Sequence, residues 1–344
     1  MIKEWNILRV VACLSVVLLH SSTQVGRSIG YTNLDDFFFA RIILTYATPT
    51  FIVLSEIILA NRYKEELPPN FFSKRVKFIL IPFISFAVID ALVVNFLSIN
   101  GIDILDKIYS NLMGNYIGYF ILIIFQFYIL HYLILKFNIS VEKLLPWSII
   151  IMVMHLALLN SNHELVLQYK PYLKLPFTAW FGYFTVAFLI GKNYERIASI
   201  LRKYKWVTLI TLLYVIYFIF LSIQSGNIQV DSRRLDIFPL SIAISFFILA
   251  WGQILPKSKI INLISNYSLG IYLLHWQIQR IIMHYLSEEL SYFNPYIQIL
   301  ILFIFATVIS MILIKIISLF TIGKYIIGNT KKNIKSTSPK VSSS

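Results

Sequence analysis

Two residues in the first apolar run could act on one substrate: Arg9 and His20 stand eleven positions apart. Eleven steps of about 100° bring them within about 20° of one helix face, roughly 16 Å apart along the axis. A neutral imidazole is a general base near neutral pH and could take the proton of a sugar hydroxyl. A guanidinium could orient that base or hold an anionic donor. The plainer reading is a snorkelling arginine and a core histidine bonded to a neighbouring helix.

Further ionisable residues fall inside apolar runs, where each costs about 2.5–3.5 kcal/mol and needs a reason. Glu56 lies at nearly the depth of Arg9, and a pair between them would relieve two buried charges. Asp90 and His275 are too deep to snorkel, so each should face a cavity or a partner, as an acceptor-site or structural residue. His131 and His155 suit interhelical hydrogen bonds. Arg41, Asp236, Arg280 and His284 are close enough to run ends to snorkel. Lys74, Arg75 and Lys77 enter a helix at its start, where the dipole opposes cations and free N–H groups favour an anion. A phosphate-bearing donor such as coenzyme A fits both facts, and ordinary membrane anchoring is the alternative. Cys13 is the single cysteine, so no intrachain disulfide and no thiolate metal cluster is expected.

The elements that position these residues are membrane helices. Of 344 residues, 58% are hydrophobic and 13% charged, too little polar material to coat a water-soluble globule. Apolar runs predict an all-α, polytopic chain with about ten transmembrane helices near 6–24, 38–60, 78–97, 116–136, 144–160, 176–191, 205–223, 236–255, 264–285 and 296–320. With the N-terminus inside, inner segments hold 20 Lys and Arg and outer segments 6, which the positive-inside rule favours, with both termini cytoplasmic. A cleaved signal peptide is the alternative for the first run, but Arg9 and His20 interrupt it. The net charge of +14 lies between the spans rather than on one soluble patch, so nucleic acid is not expected as a partner. Residues 1–325 read as one transmembrane domain, and 326–344 as a basic, disordered cytoplasmic tail that can touch anionic lipid.

These features resemble the acyltransferase family 3 membrane proteins, whose first span carries an Arg, ten intervening residues and a His. Here those are Arg9 and His20. The similarity continues through Thr48-Pro49-Thr50-Phe51-Ile52-Val53-Leu54-Ser55, the basic entry to the third span with Pro82, and Tyr272-Leu273-Leu274-His275. The family's usual Arg-x-x-Arg at that entry is Lys74-Arg75-Val76-Lys77 here. Gly118-Tyr119-Phe120, Trp180-Phe181-Gly182-Tyr183-Phe184 and Ile326-Ile327-Gly328 look most like the branch of the intercellular adhesin protein C of poly-N-acetylglucosamine synthesis.

The resemblance implies a ten-helix fold, acyl-CoA bound from the cytoplasm as donor substrate, and a glycan hydroxyl as acceptor on the far side. His20 would be the catalytic base or acyl-accepting residue, Arg9 its orienting partner, and Lys74, Arg75 and Lys77 the donor site. No permanently bound cofactor is expected. Expected partners are acyl-CoA, a cell-envelope glycan, membrane lipid and a glycan synthase. The leading function is O-acylation of an envelope polysaccharide, with acetyl or succinyl as the acyl group. The alternative is export of a poly-N-acetylglucosamine-type polymer. A proton-coupled transporter built on inverted repeats finds no internal repeat to support it.

Overall fold

A computed structural model describes residues 2–161 and 163–330, and among these the regular structure is all helical, with no strand. The predicted basic tail lies outside the described residues from 331 onward, whereas Ile327 is buried.

The helices are α1 (Lys3–Ile29), α2 (Asp35–Leu44), α3 (Ala47–Arg62), α4 (Phe71–Arg75), α5 (Ile81–Leu97), α6 (Ile104–Leu112), α7 (Phe120–Lys136) and α8 (Val141–Leu159). They continue as α9 (Glu164–Leu173), α10 (Phe181–Lys192), α11 (Tyr194–Lys203), α12 (Lys205–Gln224), α13 (Ile237–Trp251), α14 (Lys259–Ser291), α15 (Pro295–Ile317) and α16 (Gly323–Ile326). Their ends follow local chemistry. The Ser140 hydroxyl accepts from Lys143 N–H to start α8, the Asn294 side chain accepts from Tyr296 N–H with Pro295 in the first turn of α15, and Gly30 leaves α1 at φ 88°.

A helix occupies each of the ten predicted stretches, but length and apolarity qualify seven as spans, or eight if a pair bent by 76° counts as one. That pair, Glu164–Leu173 and Phe177–Lys192, breaks at the polar segment before Pro176. The two remaining stretches fall short for different reasons. Ile237–Trp251 has only 15 residues, about 22 Å of helix. Lys259–Ser291 is 33 residues long, breaks its helical angles at Leu286, and is laced with polar side chains. The protein is nevertheless a multi-pass membrane protein, because faces such as Trp206, Ile210, Tyr214 and Tyr217 of α12 lie exposed with no polar cover.

α1 is central, packing on α3, α13, α14 and α15. A ladder of polar contacts fixes its register on α14. Asn6 donates to Asn262 at 2.8 Å, Ser265 donates to Asn6 at 3.1 Å, and Gln279 donates to the Val17 carbonyl at 3.0 Å and Ser21 at 2.8 Å. Such bonds join helices where burial of apolar surface gives no driving force, since lipid is equally apolar. α3 and α10 approach so closely that a Cβ at Gly191 would meet the Ile57 carbonyl oxygen at 2.4 Å.

Candidate functional site

That ladder sets His20 beside His275, with ring centroids 5.3 Å apart. His275 is fully buried, and its Nδ1 faces the Ile271 carbonyl at 3.0 Å. A carbonyl only accepts, so the His275 proton sits on Nδ1 and Nε2 is left with a lone pair. That Nε2, and Nδ1 of His20, are buried without hydrogen-bond partners among the described residues.

Trp276 packs edge-on against His20 at 4.9 Å. Its ring carries two cations, Arg27 at 5.3 Å and Arg280 at 5.0 Å. Arg280 in turn donates to Asp90 at 2.7 Å. Asp90 also accepts from Asn111 at 2.9 Å and Gln277 at 2.8 Å, with Lys107 at 3.8 Å. Asp90 therefore has the partners its depth demands, and it ties α5, α6 and α14 together behind the tryptophan.

His20 opens onto a cavity of about 900 Å³ at the C-terminal end of α1. A second cavity, about 240 Å³, opens near the N-terminal half of α1 and is lined by Arg9, Arg62 and Arg75. Tyr272 lines both. Its ring meets a tilted Phe120 at 4.3 Å and Phe51 edge-on at 5.8 Å, and its hydroxyl donates to the Ile117 carbonyl at 2.8 Å. These three rings pack together as an aromatic partition where the cavities meet, Tyr272 bordering both and Phe51 and Phe120 the smaller one. Phe51, Phe120 and Tyr272 come from α3, α7 and α14, so three helices must be in register to close it.

The expected Arg9–Glu56 pair is not formed. Glu56 Oε1 instead shares a 2.7 Å hydrogen bond with His131 Nδ1, while His131 Nε2 donates to the Tyr63 carbonyl at 3.1 Å. Arg9 donates to Ser265 at 3.0 Å. Equal depth did not decide the pairing; helix azimuth did, since Glu56 points toward α7 and Arg9 toward α14. His131 and His155 make the interhelical bonds expected of them, His155 to Thr178 at 2.8 Å and the Leu173 carbonyl at 2.9 Å.

The basic triplet divides. Arg75 lies over the rings of Phe71 at 4.8 Å and Tyr128 at 5.1 Å and lines the smaller cavity. Lys74 and Lys77 are exposed and do not line it. A π-helical stretch over Val76–Leu80 follows Arg75 at this entry. Arg41 and Arg280, expected to snorkel, line the larger cavity instead, and Arg62 lines the smaller one. Their positions at run ends were the available signal, and that signal does not separate lipid-facing from cavity-facing residues.

The chain matches the family described as "Acyltransferase domain" over residues 2–315. It is 33% identical over 303 residues to a Bacillus subtilis protein named "Putative membrane-bound acyltransferase YfiQ", covering 80% of each chain. A Staphylococcus aureus protein named "Probable poly-beta-1,6-N-acetyl-D-glucosamine export protein" is 30% identical over 284 residues, covering 78% of this chain and 79% of its own. Its Staphylococcus epidermidis counterpart of the same name is 27% identical over 281 residues, covering 78% of each. No solved structure matches the chain. With the family matched over nearly the whole chain and Arg9 and His20 carried on its central helix, this protein belongs to the acyltransferase 3 family of membrane proteins.

Proposed function

We propose that the protein is an O-acyltransferase that takes an acyl group from cytoplasmic acyl-CoA and places it on a hydroxyl of a cell-envelope glycan. The observation that carries this reading is the pair of cavities meeting at Tyr272, arginine-lined on one side and histidine-bearing on the other. In the topology with ten crossings and both termini inside, the smaller cavity faces the cytoplasm and the larger one the exterior.

Arg9, Arg62 and Arg75 suit the phosphates of the donor, since guanidinium forks match phosphate oxygens. Lys74 and Lys77, exposed beside them, add attraction at the entrance. The acyl thioester extends toward the partition. From the other side, His20 accepts the proton of the acceptor hydroxyl, and the oxygen attacks the thioester carbonyl. The C–S bond breaks, an ester forms, and the thiolate withdraws to the cytoplasmic side, where water protonates it. The proton on His20 leaves to the outer water. His275, packed against His20 with ring centroids 5.3 Å apart, holds that imidazole in position at the cavity.

The relatives named for polysaccharide export favour a second reading, passage of a glycan chain. A conduit needs a continuous path, and the contacting rings of Phe51, Phe120 and Tyr272 where the two cavities meet support the acyl-transfer reading instead. The two readings separate in cells carrying His20→Ala. Loss of ester-linked acyl groups with a normal amount of surface polymer is expected. Normal esters with polymer retained inside would reverse the assignment.

A further inference from the structure

The wall of the His20 cavity has a charge that a neutral sugar cannot satisfy. Six cationic side chains line it, Arg27, Arg41, Lys170, Lys174, Arg233 and Arg280, against one carboxylate, Asp231. Arg280 is paired with Asp90, and Arg233 with Asp231. For Arg27, Arg41, Lys170 and Lys174 there is no ion pair among the described residues.

Arg41 is the most telling of these. It is 6% exposed and borders the cavity, and its Nε is buried without a hydrogen-bond partner among the described residues. Its guanidinium does rest on the Tyr31 ring at 4.5 Å. A cation–π contact offsets part of the desolvation, but it leaves the N–H donors in need of an acceptor. Arg27 is similarly placed over Trp276, beside His20, with its charge exposed to the cavity. Holding several unpaired cations close together is unfavourable unless something negative arrives.

We propose that the acceptor taken into the His20 cavity is anionic, a glycan or polyol bearing phosphate or carboxylate groups, gripped by Arg41 and Arg27 next to the hydroxyl to be acylated. The proposal depends on the acyl-transfer reading for what happens to the bound molecule, but not for its binding. It sets the chain apart from a protein handling poly-N-acetylglucosamine, whose repeating unit carries no negative charge.

The test is binding to full-length protein in nanodiscs, with His20→Ala present so that no turnover confuses the measurement. Three probes of similar length are compared: a glycerol-phosphate trimer, a galacturonic acid trimer and an N-acetylglucosamine trimer. The anionic probes should bind at least about tenfold more tightly than the neutral one at low salt, and lose that advantage as salt rises. The better of the two anionic probes identifies phosphate or carboxylate as the group recognised. Arg41→Gln should remove most of the preference. Arg27→Gln, at an exposed position, should weaken it independently. Equal binding of all three probes overturns the proposal, as does an unchanged preference in both arginine variants. Esters formed by the wild-type protein on the neutral trimer alone would retain the acyltransferase and discard the anionic acceptor. Anion binding without ester formation on any probe would do the reverse.

Discussion

The imidazoles of His20 and His275, on α1 and α14, lie with centroids 5.3 Å apart, and each presents a buried ring nitrogen that has no partner among the described residues. Because the Ile271 carbonyl holds the His275 proton on Nδ1, the free nitrogen of His275 is an acceptor. His20→Ala should lower acyl transfer by about 10²–10⁴-fold. His275→Ala should lower kcat by about 10²-fold with the donor KM unchanged, because the His20 ring loses the imidazole packed against it. A parallel loss of kcat and donor binding would reduce His275 to a general structural role.

Glu56 and His131 should be coupled in stability. Removing either partner strands the other in the apolar interior, at about 3–5 kcal/mol. Glu56→Leu combined with His131→Phe should cost less than the two single changes added together. Thermal unfolding of the three variants in detergent measures this, and additive losses would mean the 2.7 Å contact carries no coupling.

Phe120→Leu should thin the aromatic partition without emptying it. On the proposed mechanism, water then reaches the thioester more often. Donor hydrolysis in the absence of acceptor should rise several-fold while transfer falls. A variant with transfer reduced and hydrolysis at the wild-type level would show that these rings do not exclude water.

Lys174, in the loop between α9 and α10, is held down to about 8 by burial, with Arg233 lowering it further and Asp231 opposing. It also faces the Tyr119 ring at 5.0 Å. A lysine with lowered affinity for its proton is cationic below that value and neutral above it. Binding of an anionic probe should therefore weaken as pH rises through about 8. Lys174→Arg should keep the affinity and abolish the pH step, whereas a step that survives in this variant belongs to another group.

Gly191→Ala should destabilise the fold by about 2 kcal/mol, because the new methyl must push Ile57 and α3 away. The specific activity of the molecules that still fold should be nearly unchanged. Heat inactivation at several temperatures, followed by assay of the survivors, separates the two effects.

Much of this architecture is written in the chain. Runs of apolar residues locate a helix at all ten stretches, and the spacing of Arg9 and His20 places them at two depths of one helix because helical geometry is local. Pairing between helices is not local. Glu56 and Arg9 share a depth, yet their side chains leave α3 and α1 in different directions, and only the packed bundle reveals that His131 is the acid's partner. The same limit hid the roles of Arg41, Arg62 and Arg280. An arginine near the end of an apolar run looks alike whether it reaches lipid headgroups or a cavity wall. Asp90 was easier, since depth alone demanded partners and Arg280, Gln277 and Asn111 supply them. His275, by contrast, lines neither cavity and bonds to the Ile271 carbonyl of its own helix.

The partition of Phe51, Phe120 and Tyr272 also has an electrical consequence. The potential of an energised membrane falls across whatever separates its two waters, and moving one charge through it costs about 2.3 kcal/mol per 100 mV. In the proposed reaction the hydroxyl proton is released outside, while the thiolate takes its proton from inside. Each turnover then carries the equivalent of one positive charge outward, against an inside-negative voltage. Vesicles enclosing the donor should acylate an external acceptor faster once an ionophore collapses that voltage. A rate indifferent to it would mean that a proton returns through the rings with every acyl group delivered.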